Sequence, residues 1–412
     1  MSADHPTTQA VAPAAPQSSA VSTACKLQIS AGFDSGNIEV IASDDPSDIR
    51  LAIRPDGRSP HYQWFHFRLS GAKGQDVTLK LTNAGGAAYT SGFKNYRAVA
   101  SSDLVTWRRV PTEFDGTVLT IRDTPQADAV RYAYFAPYEQ ERHAALMARL
   151  QLKPRVTLES LGQTPDGQDL DLLRIGEPGE DKRVLWMIAR QHPGESMASW
   201  WMEGALDKLL APGPLLDQAV VYLVPCMNPD GARRGHLRTN AYGIDLNRAW
   251  AAPDAQKSPE VFLVRQRMLA TGVDFCLDVH GDEGLPHNFV AGFEGIPSIT
   301  ERQSRLFKLF SDTLERISPD FQTRQGYQIP APGEANMSMS TTQLAERFGC
   351  VSMTLEMPFK DNFDLPDELY GWSPERSKFL AAACLDSLHA ILPELKEAKA
   401  QRAAGGKEKV EA

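Results

Sequence analysis

The sequence predicts an α/β fold: a large domain with a largely parallel or mixed sheet flanked by helices, preceded by a smaller antiparallel β-sandwich. Three observations carry this. Apolar and polar residues alternate on a two-residue period through residues 26–138. Near Pro137 the pattern changes, and short continuous apolar runs then alternate with helically spaced segments. The 412 residues also leave room for two or three domains at about 150 residues each.

The strands of the sandwich are read at 37–41, 64–69, 76–81 and 117–121, separated by Gly, Asn, Asp and Pro clusters. Asn83-Ala84-Gly85-Gly86 and Phe114-Asp115-Gly116 are turn sequences. The second domain opens with a helix over 139–152. Buried strands are expected at 184–189, 220–224, 275–279 and 351–355, and helices at 198–210, 261–269, 303–317 and 373–392. The expected organisation is a disordered segment 1–25, a β-sandwich 26–138, a catalytic domain 139–395 and a solvated tail 396–412.

Composition narrows the function. Hydrophobic residues are 42% and charged residues 23%, an ordinary globular balance. No run approaches the about 20 apolar residues of a membrane helix. A net charge of −9 with no basic run disfavours nucleic acid as a partner. The first 24 residues hold neither Lys nor Arg, so no signal peptide is expected. The five cysteines form no CxxC pair and mostly sit in apolar runs, which reads as buried free thiols in a reducing compartment, the cytoplasm.

Three strand ends carry chemistry. After the run ending at Ala189 comes Gln191-His192-Pro193-Gly194-Glu195, where a Pro-Gly turn can aim an imidazole and a carboxylate at one point, as a zinc pair requires. His280 follows directly on the apolar run 275–279, ahead of Gly281. A distant third donor after a close-spaced pair suits a catalytic zinc, which keeps one position open, better than a structural one. Asp278 could support His280 from behind or face a helix N-terminus. Glu356 ends the run 351–355, where a carboxylate is costly unless paired, hydrated or functional. Between the first two lie Asn228, Arg233, Arg234, Arg238, Asn247 and Arg248 in loop-like sequence. That is a candidate grip for a carboxylate, because arginine forks bind one in bidentate fashion.

In this order HPGE, NPDG, RTNAYGIDLNR, DVHGD and TLEMPF resemble the zinc metallocarboxypeptidase superfamily over roughly residues 140–393. With the N-terminal β-domain, the chain is similar to the cytosolic carboxypeptidase subfamily in a bacterial-type form. The resemblance implies a carboxypeptidase-like mixed sheet and one Zn2+ per chain held by His192, Glu195 and His280. It implies Glu356 as general base, Arg238 as oxyanion stabiliser, Asn247 and Arg248 as the clamp for the substrate's terminal carboxylate, and Arg234 as an auxiliary arginine. The implied activity is removal of the C-terminal residue of peptides or proteins, with glutamate one candidate residue. Arg324 and Lys360 are the cations considered for an acidic side chain, and Tyr327, the single tyrosine between His280 and Glu356, is left without a role. Two other readings stand beside it: a zinc amidohydrolase of small N-acyl amino acids on the same fold, and a non-catalytic module that binds carboxylate-terminated tails.

Overall fold

The computed structural model describes Met1 and residues 27–396. The expected N-terminal segment 1–25, apart from Met1, and the expected tail beyond Lys396 lie outside the described residues.

The N-terminal body consists of two five-stranded sheets. One runs in the order Gln28–Ser30, His66–Ser70, Ala129–Ala133, Val99–Ser101, Arg108–Arg109, all antiparallel. The other runs Glu39–Ala42, Ile49–Ala52, Val77–Leu81, Leu119–Asp123, Thr112–Phe114. The two-residue alternation is visible in Val77–Leu81, where Val77, Leu79 and Leu81 are buried and Thr78 and Lys80 are not fully so. The antiparallel expectation meets one departure: Ile49–Ala52 and Val77–Leu81 pair in parallel. The reason is topological. The strand between them in sequence, His66–Ser70, belongs to the other sheet, so the chain crosses over and returns in its original direction.

The second body is built on a seven-stranded mixed sheet in the order Val156–Gln163, Asp169–Ile175, Ala219–Val224, Arg183–Ala189, Phe275–Asp282, Val351–Pro358, Phe289–Ala291. The four strands from Ala219–Val224 to Val351–Pro358 are parallel to one another. They are buried almost throughout, which is why they read as continuous apolar runs. Helices Met197–Leu210 and Pro374–Ile391 pack against each other, and Gly204 permits their close approach: a Cβ there would lie 2.5 Å from Lys378 Cα. Val156–Gln163 at the sheet edge, its neighbour Asp169–Ile175, and the helices Pro229–Arg234 and Ser340–Phe348 were not distinguished in sequence.

One feature of this sheet positions the site. The chain leaves strand Arg183–Ala189 toward Ala219–Val224 on one side and later returns to Phe275–Asp282 on the other. In open α/β sheets, sites collect where the strand order reverses, at the carboxyl ends of the parallel strands.

Candidate metal centre and active site

The loop that follows Ala189 starts at this switch point. Arg190, buried, takes a left-handed backbone (φ 60°), and its guanidinium donates to the carbonyls of Pro193 and Tyr138. These bonds fold the Pro193-Gly194 turn back on itself. Gly194 is needed for a close approach, since a Cβ would stand 2.9 Å from the Leu237 carbonyl oxygen, which already accepts from Gly194 N at 2.9 Å.

His192, Glu195 and His280 are thereby brought together, all buried. His192 Nδ1 lies 2.7 Å from Glu195 Oε1, His280 Nδ1 lies 2.8 Å from Glu195 Oε2, and the two Nδ1 atoms are 3.2 Å apart. Each ring is held from behind. His192 Nε2 is 3.1 Å from Asp245 Oδ1, and His280 Nε2 is 3.0 Å from Asp278 Oδ2. An Nε2–H that donates to a carboxylate leaves the Nδ1 lone pair facing the partner rings and Glu195. Asp278 answers both sequence readings at once, because its Oδ2 also accepts from Ser340 Oγ at the start of helix Ser340–Phe348 and from Gln191 Nε2 at 2.6 Å.

These residues fit a zinc ion. Zinc–nitrogen bonds of about 2.0–2.1 Å in a tetrahedron separate neighbouring donors by about 3.3 Å, close to the Nδ1 spacing found. Glu195 Oε2 is buried without a directed hydrogen bond. Burial works against its charge, but when the two imidazoles carry their protons in the absence of metal they outweigh this and hold its carboxyl below the usual range.

Glu356 stands on the neighbouring strand in register with His280. Its Oε1 accepts from Tyr327 Oη at 3.1 Å, and its buried Oε2 has no hydrogen-bond partner among the described residues. Burial pushes the Glu356 carboxyl well above the usual range; His280 pulls it back, while Glu195 and Asp282 add to the push. The single Tyr327 O–H is shared between Glu356 Oε1 and Asp282 Oδ2, which lies closer at 2.7 Å, and the ring meets Phe289 edge-on.

Arg238 Nε and Nη2 reach Asp245 Oδ2 at 2.9 and 2.8 Å. Asp245 thus spans His192 and Arg238, one oxygen to each. Burial opposes its charge, but His192, Arg238 and Arg248 keep its carboxyl well below the ordinary range. Asn247 and Arg248 follow directly in a 3-10 turn. Asn247 Oδ1 accepts from Ser340 N at 2.9 Å. Arg248 is exposed, and beyond one bond from Nη1 to the Asn247 carbonyl its guanidinium takes no acceptor among the described residues. Arg234 is engaged elsewhere: it forms a two-pronged pair with Asp166 at 2.7 and 2.6 Å.

Sequence reasoning gave no role to Asp245 and left that of Tyr327 unassigned. Asp245 stands two residues before Asn247 and could have been noticed as the acid among these arginines. Tyr327 carries no local signal, because its partners Asp282 and Glu356 meet it only through the fold.

A parallel-centred sheet that gathers two imidazoles and a carboxylate at its switch point defines a metal-dependent α/β enzyme. Residues 143–380 match the family model for zinc carboxypeptidase, and residues 29–135 match that for the cytosolic carboxypeptidase N-terminal domain. The chain belongs to the zinc carboxypeptidase family. It is 50% identical over 374 residues to an uncharacterised Zymomonas mobilis protein, across 90% of this chain and 97% of that one. It is 28% identical over 330 residues to mouse cytosolic carboxypeptidase 6, across 71% of this chain but 60% of the mouse protein. The metallo-carboxypeptidase of Burkholderia cenocepacia superposes with a TM-score of 0.87 at 46% identity, over 90% of this chain and 100% of that one. The Pseudomonas aeruginosa metallo-carboxypeptidase, in complex with (2-guanidinoethylmercapto)succinic acid, gives 0.87 at 47% identity, over 89% and 100%. The protein is a zinc-dependent metallocarboxypeptidase acting on C-terminal peptide bonds.

Proposed function

We propose that His192, Glu195 and His280 hold the zinc ion, and that Glu356, Tyr327, Arg238, Asn247 and Arg248 carry out the hydrolysis around it. The observation that carries this reading is the pair of Nδ1 atoms 3.2 Å apart on one buried carboxylate, each ring locked by a second carboxylate on its far nitrogen.

Zinc, when bound, polarises the scissile carbonyl and makes hydroxide available near neutral pH. Glu356 takes the proton of the attacking water and returns it to the leaving amine. Tyr327 donates to Oε1, which leaves the unpartnered Oε2 for that proton. Arg238 meets the negative charge that develops on the carbonyl oxygen; loss of one such donor costs about 10²–10³ in rate. Arg248, with Asn247 beside it, binds the free carboxylate of the substrate. An internal peptide bond offers no such group, and an unanswered cation there disfavours it.

A glutamate preference is the finer question. Arg324 pairs with Asp364 at 2.9 Å, and Lys360 Nζ donates to the Lys94 carbonyl at 3.0 Å, with burial drawing its pKa down to about 8. Arg324 is thus already paired with a carboxylate, whereas Lys360 spends one of its three donors on a neutral carbonyl and keeps two. The Pseudomonas relative's ligand carries both a guanidinium and carboxylates, which makes basic residues an equal candidate. Rates on peptides ending in Glu, Lys and Leu decide among them.

The domain limits 26–138 and 139–395 are kept in this reading. Cytoplasmic placement is proposed from the relatives' cytosolic name and from the four free, buried cysteines Cys226, Cys276, Cys350 and Cys384. No helix among the described residues is long and apolar enough to cross a membrane.

Dialysis against a chelator should abolish release of C-terminal amino acids, and zinc should restore it. Glu356→Gln should lose at least about 10² in kcat while retaining zinc. Full activity in that variant removes the assigned base. Cleavage of acylamino acids without shortening of any peptide would favour the amidohydrolase reading.

A further inference from the structure

The loop 55–58 of the N-terminal body reaches across to the segment that bears Arg238. Asp56 is 2% exposed. Its Oδ1 accepts from Leu237 N at 2.6 Å, and its Oδ2 accepts from Arg238 N at 2.9 Å, Thr239 N at 2.8 Å and Thr239 Oγ1 at 3.0 Å. No Lys or Arg forms an ion pair with it among the described residues. One buried charge is balanced by three consecutive backbone N–H groups and a hydroxyl from a stretch about 180 residues away.

Packing alone does not call for such an arrangement. A buried carboxylate is expensive to desolvate, and an apolar side chain would join two surfaces at less cost. What the carboxylate adds is direction, since it fixes the backbone of 237–239 against rotation. The same N-terminal body touches the other end of the arginine: the Tyr89 ring lies 5.7 Å from the Arg238 guanidinium carbon. Tyr89 is itself held by Gln63, which donates to its carbonyl at 3.0 Å and accepts from its N–H at 2.8 Å. With Asp245 on the guanidinium, Arg238 is held at its backbone, its face and its head. An arginine otherwise samples many rotamers, and a donor stabilises a transition state best when it is already in place.

We propose that Asp56 is a positioning residue for the reaction, acting from the N-terminal body through Arg238. The proposal rests on the role given above to Arg238.

The test is a double-mutant cycle on the zinc-loaded, full-length protein, with kcat and KM measured on a blocked peptide that the wild type shortens. Melting temperature and zinc content are measured alongside. Asp56→Asn is nearly isosteric but turns an amide against N–H donors. It should lower kcat about tenfold and change KM less than about threefold, because a misplaced donor costs transition-state stabilisation. In an Arg238→Gln background the same change should cost less than about twofold, since two residues acting as a unit do not add. An equal loss in both backgrounds, or no loss in the wild-type background, overturns the proposal. Should Asp56→Asn not fold, Thr239→Val removes only the hydroxyl bond. It should lower kcat about threefold in the wild type and not at all beside Arg238→Gln; equal effects overturn the proposal there too. Full activity in Arg238→Gln alone would instead refute the role of Arg238.

Discussion

Asp278 and Asp245 make no contact with substrate in the proposed reaction, yet each holds the Nε2 of an imidazole and so would leave its Nδ1 to bind metal. A carboxylate behind a ligating histidine fixes its tautomer and raises its basicity, and removing it costs about 10–100-fold in metal affinity. Asp278→Asn should weaken zinc binding by that factor in a chelator competition; unchanged affinity would mean His280 is oriented by its strand alone. Glu260 makes a residue-scale prediction about stability. It is fully buried, and Asn240 donates to its carboxylate. Burial, aided by the charge of Asp230, raises its pKa from 4.5 to about 7. The folded chain therefore binds this proton more tightly than the unfolded chain. Its stabilising contribution is complete below about pH 4.5 and is lost as pH rises through about 7, an effect of about 3 kcal/mol. Glu260→Gln should flatten the pH dependence of unfolding across that interval, and an unchanged slope would refute the assignment.

At the scale of elements, the His192–Glu195 turn is held by contact with a second loop as much as by its own sequence. Gly194→Ala would drive a Cβ against the Leu237 carbonyl. Zinc content and kcat should both drop while the melting temperature moves by only a few degrees, the shift about 1 kcal/mol produces. Retention of both would show that the two loops separate freely. This contact also marks how far the sequence could be read. His192, Glu195, His280 and Glu356 stood out as candidates because they lie at the ends of apolar runs, and the arginine-rich segment because so many Arg and Asn are unusual in loop-like sequence of an acidic chain. Helix Pro229–Arg234 was read as loop, because six residues with proline and glycine give too little periodicity. The edge strand Val156–Gln163 escaped because partial exposure dilutes its apolar pattern, and Asp169–Ile175 because Asp169, Asp171 and Arg174 interrupt its apolar run. The engagement of Arg234 with Asp166 and of Tyr327 with Glu356 depends on long-range contacts that no local pattern encodes.

At the scale of the molecule, a single hydrophobic cluster runs from Ile38 to Leu395 through both bodies. Arg109 of the N-terminal body is buried among carbonyls, donating to Arg97, Phe359, Trp372 and Tyr370. Burial lowers its pKa to about 10, and no carboxylate forms an ion pair with it among the described residues. Beside it the Tyr134 ring stacks on Phe359 at 4.6 Å. Arg109→Leu would leave several buried carbonyls unanswered at about 1–3 kcal/mol each. Urea unfolding should show a loss of about 3 kcal/mol or more in a single transition. Two separate transitions, or a loss below about 1 kcal/mol, would show that the bodies are stable apart.

The bonds from Arg109 into the 359–372 loop also bear on ancestry. A gene fragment encoding only the C-terminal portion would yield a chain with Phe359 bare and those carbonyls facing water. Recombination that separated the portions would therefore be selected against, and their boundary should drift little as lineages diverge.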